Sequence, residues 1–96
     1  MSNQRTTDQE VCLTIANSCL RQCYLSLLRT KRELESAHSY ACGAINRANE
    51  CGLTEMDVYK FTRDRLFNFI RDVNNELAVV GADIPEEERK QYEDMV

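Results

Sequence analysis

The sequence predicts an all-α fold, and three observations carry that prediction. The 96 residues include only three glycines and one proline, too little turn punctuation for an all-β domain of this length. Apolar residues recur at gaps of three and four over long stretches, which is the rhythm of one helix face. Each stretch is bounded by recognisable helix start and stop signals. A hydrophobic share of 43% suits one small domain and leaves too little chain for two independent cores. The predicted architecture is a single domain over residues 1–96, an antiparallel helical hairpin with a long N-terminal helix and a short C-terminal one, forming a helical bundle on dimerisation.

Residues 1–7 are polar and unpatterned, which predicts a disordered tail. Helix 1 is predicted over residues 8–51, with Thr7 as N-cap and Glu10 completing a capping box. No proline interrupts it, Gly43 is its one interior glycine, and Cys51-Gly52 ends it. Helix 2, over residues 55–80, opens at a second capping box, Thr54-Glu55-Met56-Asp57, and stops at Gly81. Helix 3, over residues 85–95, starts with Pro85 in its first turn and sets Glu86, Glu87 and Glu88 near the positive end of its dipole.

The predicted seam of helix 1 runs through Cys12, Ala16, Cys19, Cys23, Leu27, Thr30, Leu34, Ala37, Ala41, Ala44, Ala48 and Cys51. This is a heptad rhythm with one extra-long step between residues 23 and 27, which predicts coiled-coil-like packing with a local change of winding. Most of these side chains are small, so a partner helix approaches closely. Helix 2 answers with larger residues, Tyr59, Thr62, Leu66, Phe69, Val73, Leu77 and Val80. Phe61 and Phe67 do not both fit that seam, and one of them marks a second contact surface.

Length then creates a mismatch. At about 1.5 Å per residue, helix 2 reaches about 39 Å and matches only residues from about 27 to 51 of helix 1. The cysteine-rich beginning of helix 1 stays uncovered, and helix 3 offers little apolar surface to shield it. Either helix 1 breaks within "RTKRELES", or residues 11–28 bury themselves against another chain. That stretch contains neither Gly nor Pro, so an unbroken helix and a homodimer are expected. The predicted interface residues are Cys12, Ile15, Ala16, Cys19, Leu20, Cys23 and Leu27.

Several patterns invite a chemical reading. Cys12, Cys19 and Cys23 share one helix face, and Cys19 and Cys23 stand one turn apart, close enough to share a metal. A closed thiolate site would need the same two residues from a second chain. Cys-x-x-x-Cys on a helix lacks the spacing of common zinc modules, so small core cysteines are the preferred reading and no metal is predicted. The cysteine pairs of the mitochondrial helical hairpins, separated by nine or by three residues, are not matched. Glu35-Ser-Ala-His38 spells the Glu-x-x-His pattern of di-iron bundles, but one copy is half a site and helix 2 presents aliphatic and phenylalanine side chains. "AHSYACGA" resembles the phosphotransfer helix of histidine phosphotransfer domains over its eight residues. No lysine follows His38, and Gly43 comes five residues later rather than four, so no phosphohistidine site is predicted.

No nucleophilic triad, phosphate-cradling loop or pair of catalytic carboxylates is visible, which disfavours an enzyme and leaves catalytic and cofactor-binding residues as none. A net charge of −4 argues against nucleic acid, although Arg21, Arg29, Lys31, Arg32 and Arg47 supply local positive charge. The N-terminus has no signal-peptide pattern and no window is expected to be apolar enough to cross a bilayer, so a cytoplasmic protein with no membrane partner is predicted. In that compartment an odd number of cysteines, five, does not read as a disulfide framework. The functional expectation is a small non-catalytic regulator, adaptor or inhibitor that binds a protein partner as a helical homodimer. Glu86, Glu87, Glu88, Glu93 and Asp94 would suit a basic groove on that partner. The alternative is a thiol- or metal-dependent module built on Cys19 and Cys23 of two chains.

Overall fold

In a computed structural model that describes residues 5–53 and 56–96, the chain is all-helical, and no strand occurs among those residues. Helix α1 spans Thr7–Glu50, α2 spans Asp57–Gly81 and α3 spans Glu86–Met95. The first cap differs from the predicted one by a residue. Thr6, not Thr7, is the N-cap: its hydroxyl accepts from the Gln9 backbone N–H at 3.2 Å, and Gln9 Oε1 accepts from the Thr6 N–H at 2.8 Å. Two overlapping threonine boxes compete here, and the outer one adds a residue to the helix. Thr7 is therefore helical rather than part of a tail, while residues 1–4 lie outside the described part. At the other end Gly52 takes the left-handed conformation at φ 76°, and the Leu53 N–H reaches back to the Ala48 carbonyl at 3.0 Å. Of the second predicted capping box, Thr54 and Glu55 lie outside the described residues; Met56 is the residue that caps α2.

No break occurs near Lys31; α1 runs as one helix of 44 residues, about 66 Å long. Its first described contact with the rest of the chain comes well inside it. Tyr24 and Leu28 bury themselves with Leu77 of α2 and with Ile84, between α2 and α3, while Leu20, Leu27, Val73, Val80, Tyr92 and Val96 pack around them. At the far end Ile45 and Ala48 enclose Met56. Between these clusters the His38 and Phe67 rings stand 6.3 Å apart. Early α2 thus meets late α1, and late α2 meets the middle of α1.

The face that α1 turns inward shares Leu27, Leu34, Ala41 and Ala48 with the predicted seam and otherwise departs from it. It passes through Leu20, Tyr24, Leu27, Lys31, Leu34, His38, Ala41, Ile45 and Ala48, all buried or half-buried. Thr30, Ala44 and Cys51, predicted as seam residues, are exposed. On α2 the inward line is Arg63, Leu66, Ile70, Val73, Leu77 and Val80, and Tyr59, Thr62 and Phe69 are exposed. A fault in step accounts for the part of each predicted line before it; after Leu27 the predicted α1 line also alternates, and there Lys31, His38 and Ile45 take the inward places of Thr30, Ala37 and Ala44. The observed lines alternate gaps of four and three without a fault, whereas both predicted lines contain two consecutive fours. Consecutive fours rotate a face round the helix, while strict alternation keeps it towards one neighbour. The expected change of winding between residues 23 and 27 is therefore not needed to describe this face.

Candidate interaction surface

Every described residue from Arg5 to Cys19 is exposed, so the first three turns and more of α1 project beyond the other helices. The projection is apolar on much of its circumference: Val11 is 52% exposed, Ile15 58% and Leu13 37%. Cys12, Cys19 and Cys23 are free thiols, all exposed. Some polar groups on the projection and at its root bond back to the helix. The Thr14 hydroxyl donates to the Glu10 carbonyl at 3.0 Å, and Arg21 Nη1 donates to the Asn17 carbonyl at 3.2 Å. Shallow grooves flank the rod, one lined by Arg5, Gln9, Cys12, Leu13 and Ala16, the other by Thr7, Glu10, Val11, Thr14 and Ile15.

The seven predicted interface residues divide into two groups. Cys12, Ile15, Ala16, Cys19 and Cys23 are exposed on the projecting part or at its root. Leu20 and Leu27 instead pack on the chain's own Tyr24 cluster. At about 100° per residue, the cysteine face and the inward face through Leu20, Tyr24 and Lys31 lie roughly a quarter turn apart. A helix docked on the cysteines would therefore lie beside α2 and α3 rather than in their place.

Helix α3 anchors the root of the projection. Arg21 pairs with Glu88 across half-buried side chains. The Tyr24 and Tyr92 rings meet edge-on at 6.2 Å, and the Tyr24 hydroxyl donates to Glu93 Oε1 at 3.4 Å. Burial pushes the Tyr24 phenol up from its ordinary value, and the Glu93 carboxylate adds to the effect. Tyr92 moves the same way, by desolvation first and by Glu88 second. Of the five acidic residues suited to a basic groove, Glu88 and Glu93 are engaged with α1, and Glu86 pairs with Lys90 at 3.7 Å.

The sequence patterns with chemical readings resolve differently. Cys42 Sγ lies 3.9 Å from both ring nitrogens of His38, one turn away on the same helix. Glu35 is exposed, and among the described residues no three His, Cys, Asp or Glu side chains come together as a metal site. Of the basic residues, Arg21 is held by Glu88 and Arg47 by Glu50 at 3.6 Å, while Arg29 and Arg32 are exposed. Both Phe61 and Phe67 are exposed, at 63% and 59%. The sequence reading missed Arg65, whose guanidinium lies 5.5 Å from the Phe61 ring and 5.7 Å from the Phe69 ring. The signal was present in the spacing Phe61, Arg65, Phe69, which puts the cation one turn from each ring.

The expectation about membrane spans needs correction. Helix α1 is long enough, and over an 18-residue window of mean hydropathy 1.2 apolar enough, to cross a membrane by length and composition. Asn17, Ser18, Arg21 and Gln22 interrupt the apolar residues here, and the surrounding Leu, Ile, Val and Cys offset them over the window.

Among the described residues, the fold and the surface define an all-helical chain with one end of its longest helix exposed. Comparison with protein-family models, with curated proteins and with solved structures finds no match for it.

Proposed function

We propose that this protein is a small non-catalytic regulator, adaptor or inhibitor that binds a protein partner and acts as a homodimer. In this reading the antiparallel helical hairpin of α1 and α2 becomes a bundle when the projecting part of α1 docks on a second copy. The observation that supports it is a surplus of surface. A compact monomer of this mass, 11.1 kDa, exposes about 5,700 Å². This chain exposes 7513 Å². The excess is larger than the roughly 800 Å² per partner that a specific interface buries. The shape agrees, with a radius of gyration of 20.1 Å against about 12.5 Å for a compact chain of this length.

An aqueous, cytoplasmic setting goes with this reading. Arg21 sits in the apolar part of α1 and makes its ion pair with Glu88 of α3, and a bilayer would have to accommodate that pair or break it. Light scattering on reduced, size-fractionated protein tests the proposal. A mass of twice the chain is expected, and Ile15→Glu or Ala16→Glu should return it to one chain with helical content kept. A reduced wild-type monomer at micromolar concentration overturns the homodimer.

The alternative, a thiol- or metal-dependent module built on Cys19 and Cys23 of two chains, is favoured only by the exposure of those residues one turn apart. Its metal-dependent form requires stoichiometric metal in protein purified under reducing conditions and a melt that drops with chelator.

A further inference from the structure

We propose that the second copy lies antiparallel on the projecting part of α1, in a register that sets Cys12 opposite the partner's Cys23. This rests on the homodimer reading above and adds orientation, register and a covalent lock. The exposed face repeats at gaps of four, three and four through Cys12, Ala16, Cys19 and Cys23. In antiparallel packing the two alternating seam positions face one another, so Cys12 meets the partner's Cys23 and Ala16 meets the partner's Cys19. Small side chains at all these places let the backbones approach closely.

Charge selects the orientation. The first turn of α1 is acidic, with Asp8 on the flank of this face, and exposed Arg29 lies on the same flank near the other end. The antiparallel register places Asp8 beside the partner's Arg29, twice by symmetry. A parallel, in-register pair instead brings the two acidic first turns together and keeps Asp8 about 30 Å from the partner's Arg29. Helix dipoles favour the antiparallel pair as well. Residues 8–27 then overlap over about 30 Å, which covers the bare stretch and continues beside α3, whose contacts with Arg21 and Tyr24 lie on the neighbouring face.

Facing seam positions also lie within disulfide reach. With oxidised glutathione as oxidant, the Cys12 thiol and the thiol of the partner's Cys23 form one S–S bond. The glutathione disulfide is cleaved to two glutathione thiols, which take the two protons and the electron pair. Symmetry allows the bond twice. A metal held by Cys19 and Cys23 of both chains would need a crossing point near Arg21, three to four residues from the crossing between Asn17 and Ser18 that this register sets.

The test uses the full chain. Reduced protein is sized by light scattering, oxidised with glutathione disulfide, and its linked peptides are mapped by mass spectrometry. A dimer with Cys12–Cys23 as the major link is expected. Cys12→Ser and Cys23→Ser should each lose that link alone, and an equimolar mixture of the two variants should regain it. As a readout free of thiols, Asp8→Arg and Arg29→Asp should each weaken the reduced dimer about fivefold, and combining them should restore it. A dimer linked Cys12–Cys12 or Cys23–Cys23 overturns the register and leaves the homodimer standing. So does a dimer holding stoichiometric zinc through Cys19 and Cys23. A reduced monomer with no link overturns both.

Discussion

Gly81 and Gly43 make the same substitution a test of two environments. A Cβ at Gly81 would stand 3.0 Å from Tyr24 Cε2 and 3.2 Å from Arg89 Cδ, against an aromatic ring that the core holds in place. Gly81→Ala is therefore expected to destabilise by about 1 kcal/mol or more, the overpacking exceeding the gain in helix propensity. At Gly43 nothing lies within 4 Å of a new Cβ, so Gly43→Ala should stabilise by about 0.5–1 kcal/mol. Denaturant melts of the two variants should move in opposite directions. The tyrosines add a pH dependence whose sign follows from their shift. Tyr24 and Tyr92 hold their protons more tightly when folded than the ordinary phenol at about 10. Between the unfolded and folded values the folded state binds more protons, so stability is complete below about pH 10 and falls as pH rises through the folded values. Tyr24→Phe should flatten that alkaline decline, as read from melts at about pH 8 and about pH 11.

Helix α1 has two regimes along its length, and substitutions should report them separately. Leu28 is buried where α1, α2 and the turn to α3 converge, so Leu28→Ala should cost about 2–4 kcal/mol of folding stability. Leu13, on the projecting part, is 37% exposed in the single chain, and Leu13→Ala should leave chain folding nearly unchanged while weakening association. Amide exchange gives the same contrast. Protection is expected to be strong around Tyr24 to Leu28, which is packed by three elements, and weak before Cys19 unless a second copy covers it. The Arg21–Glu88 pair and the Tyr24–Tyr92 contact make α3 the element that decides how much of α1 is left over.

For the molecule as a whole, shape is the decisive quantity. Principal extents of 74 × 22 × 17 Å describe a rod, and a rod of this mass has too much surface for its core. The buried apolar side chains of the described residues are Tyr24, Leu25, Leu28, Ile45, Ala48, Met56, Leu77 and Ile84, with none of them completely shielded. In the proposed homodimer folding is linked to association, so the melting temperature should rise with protein concentration. A concentration-independent melt over a hundredfold range would remove that link between folding and assembly. The exposed stripe of Val58, Phe61 and Phe69, bridged by Arg65, is a second apolar surface that the proposed dimer leaves open.

Helix number and type were legible in the residues, because an interior without proline and glycines near the ends act within a turn or two of where they stand, whereas the capping box of α1 sits on Thr6 rather than on the predicted Thr7. The length mismatch was legible too, since it follows from rise per residue and an unbroken α1. Which of two neighbouring apolar arcs faces inward was not. Cys12, Ala16, Cys19 and Cys23 form one arc, and Leu20, Tyr24 and Leu27 form another about a quarter turn away, and each has helical periodicity. On α2, Phe69 and Ile70 posed the same choice. Only packing α1, α2 and α3 together selects between them, because the cost of exposing Tyr24 and Leu28 and the need for a straight line of alternating steps belong to no single helix. Local chemistry wrote the elements; the competition for burial among them chose the faces.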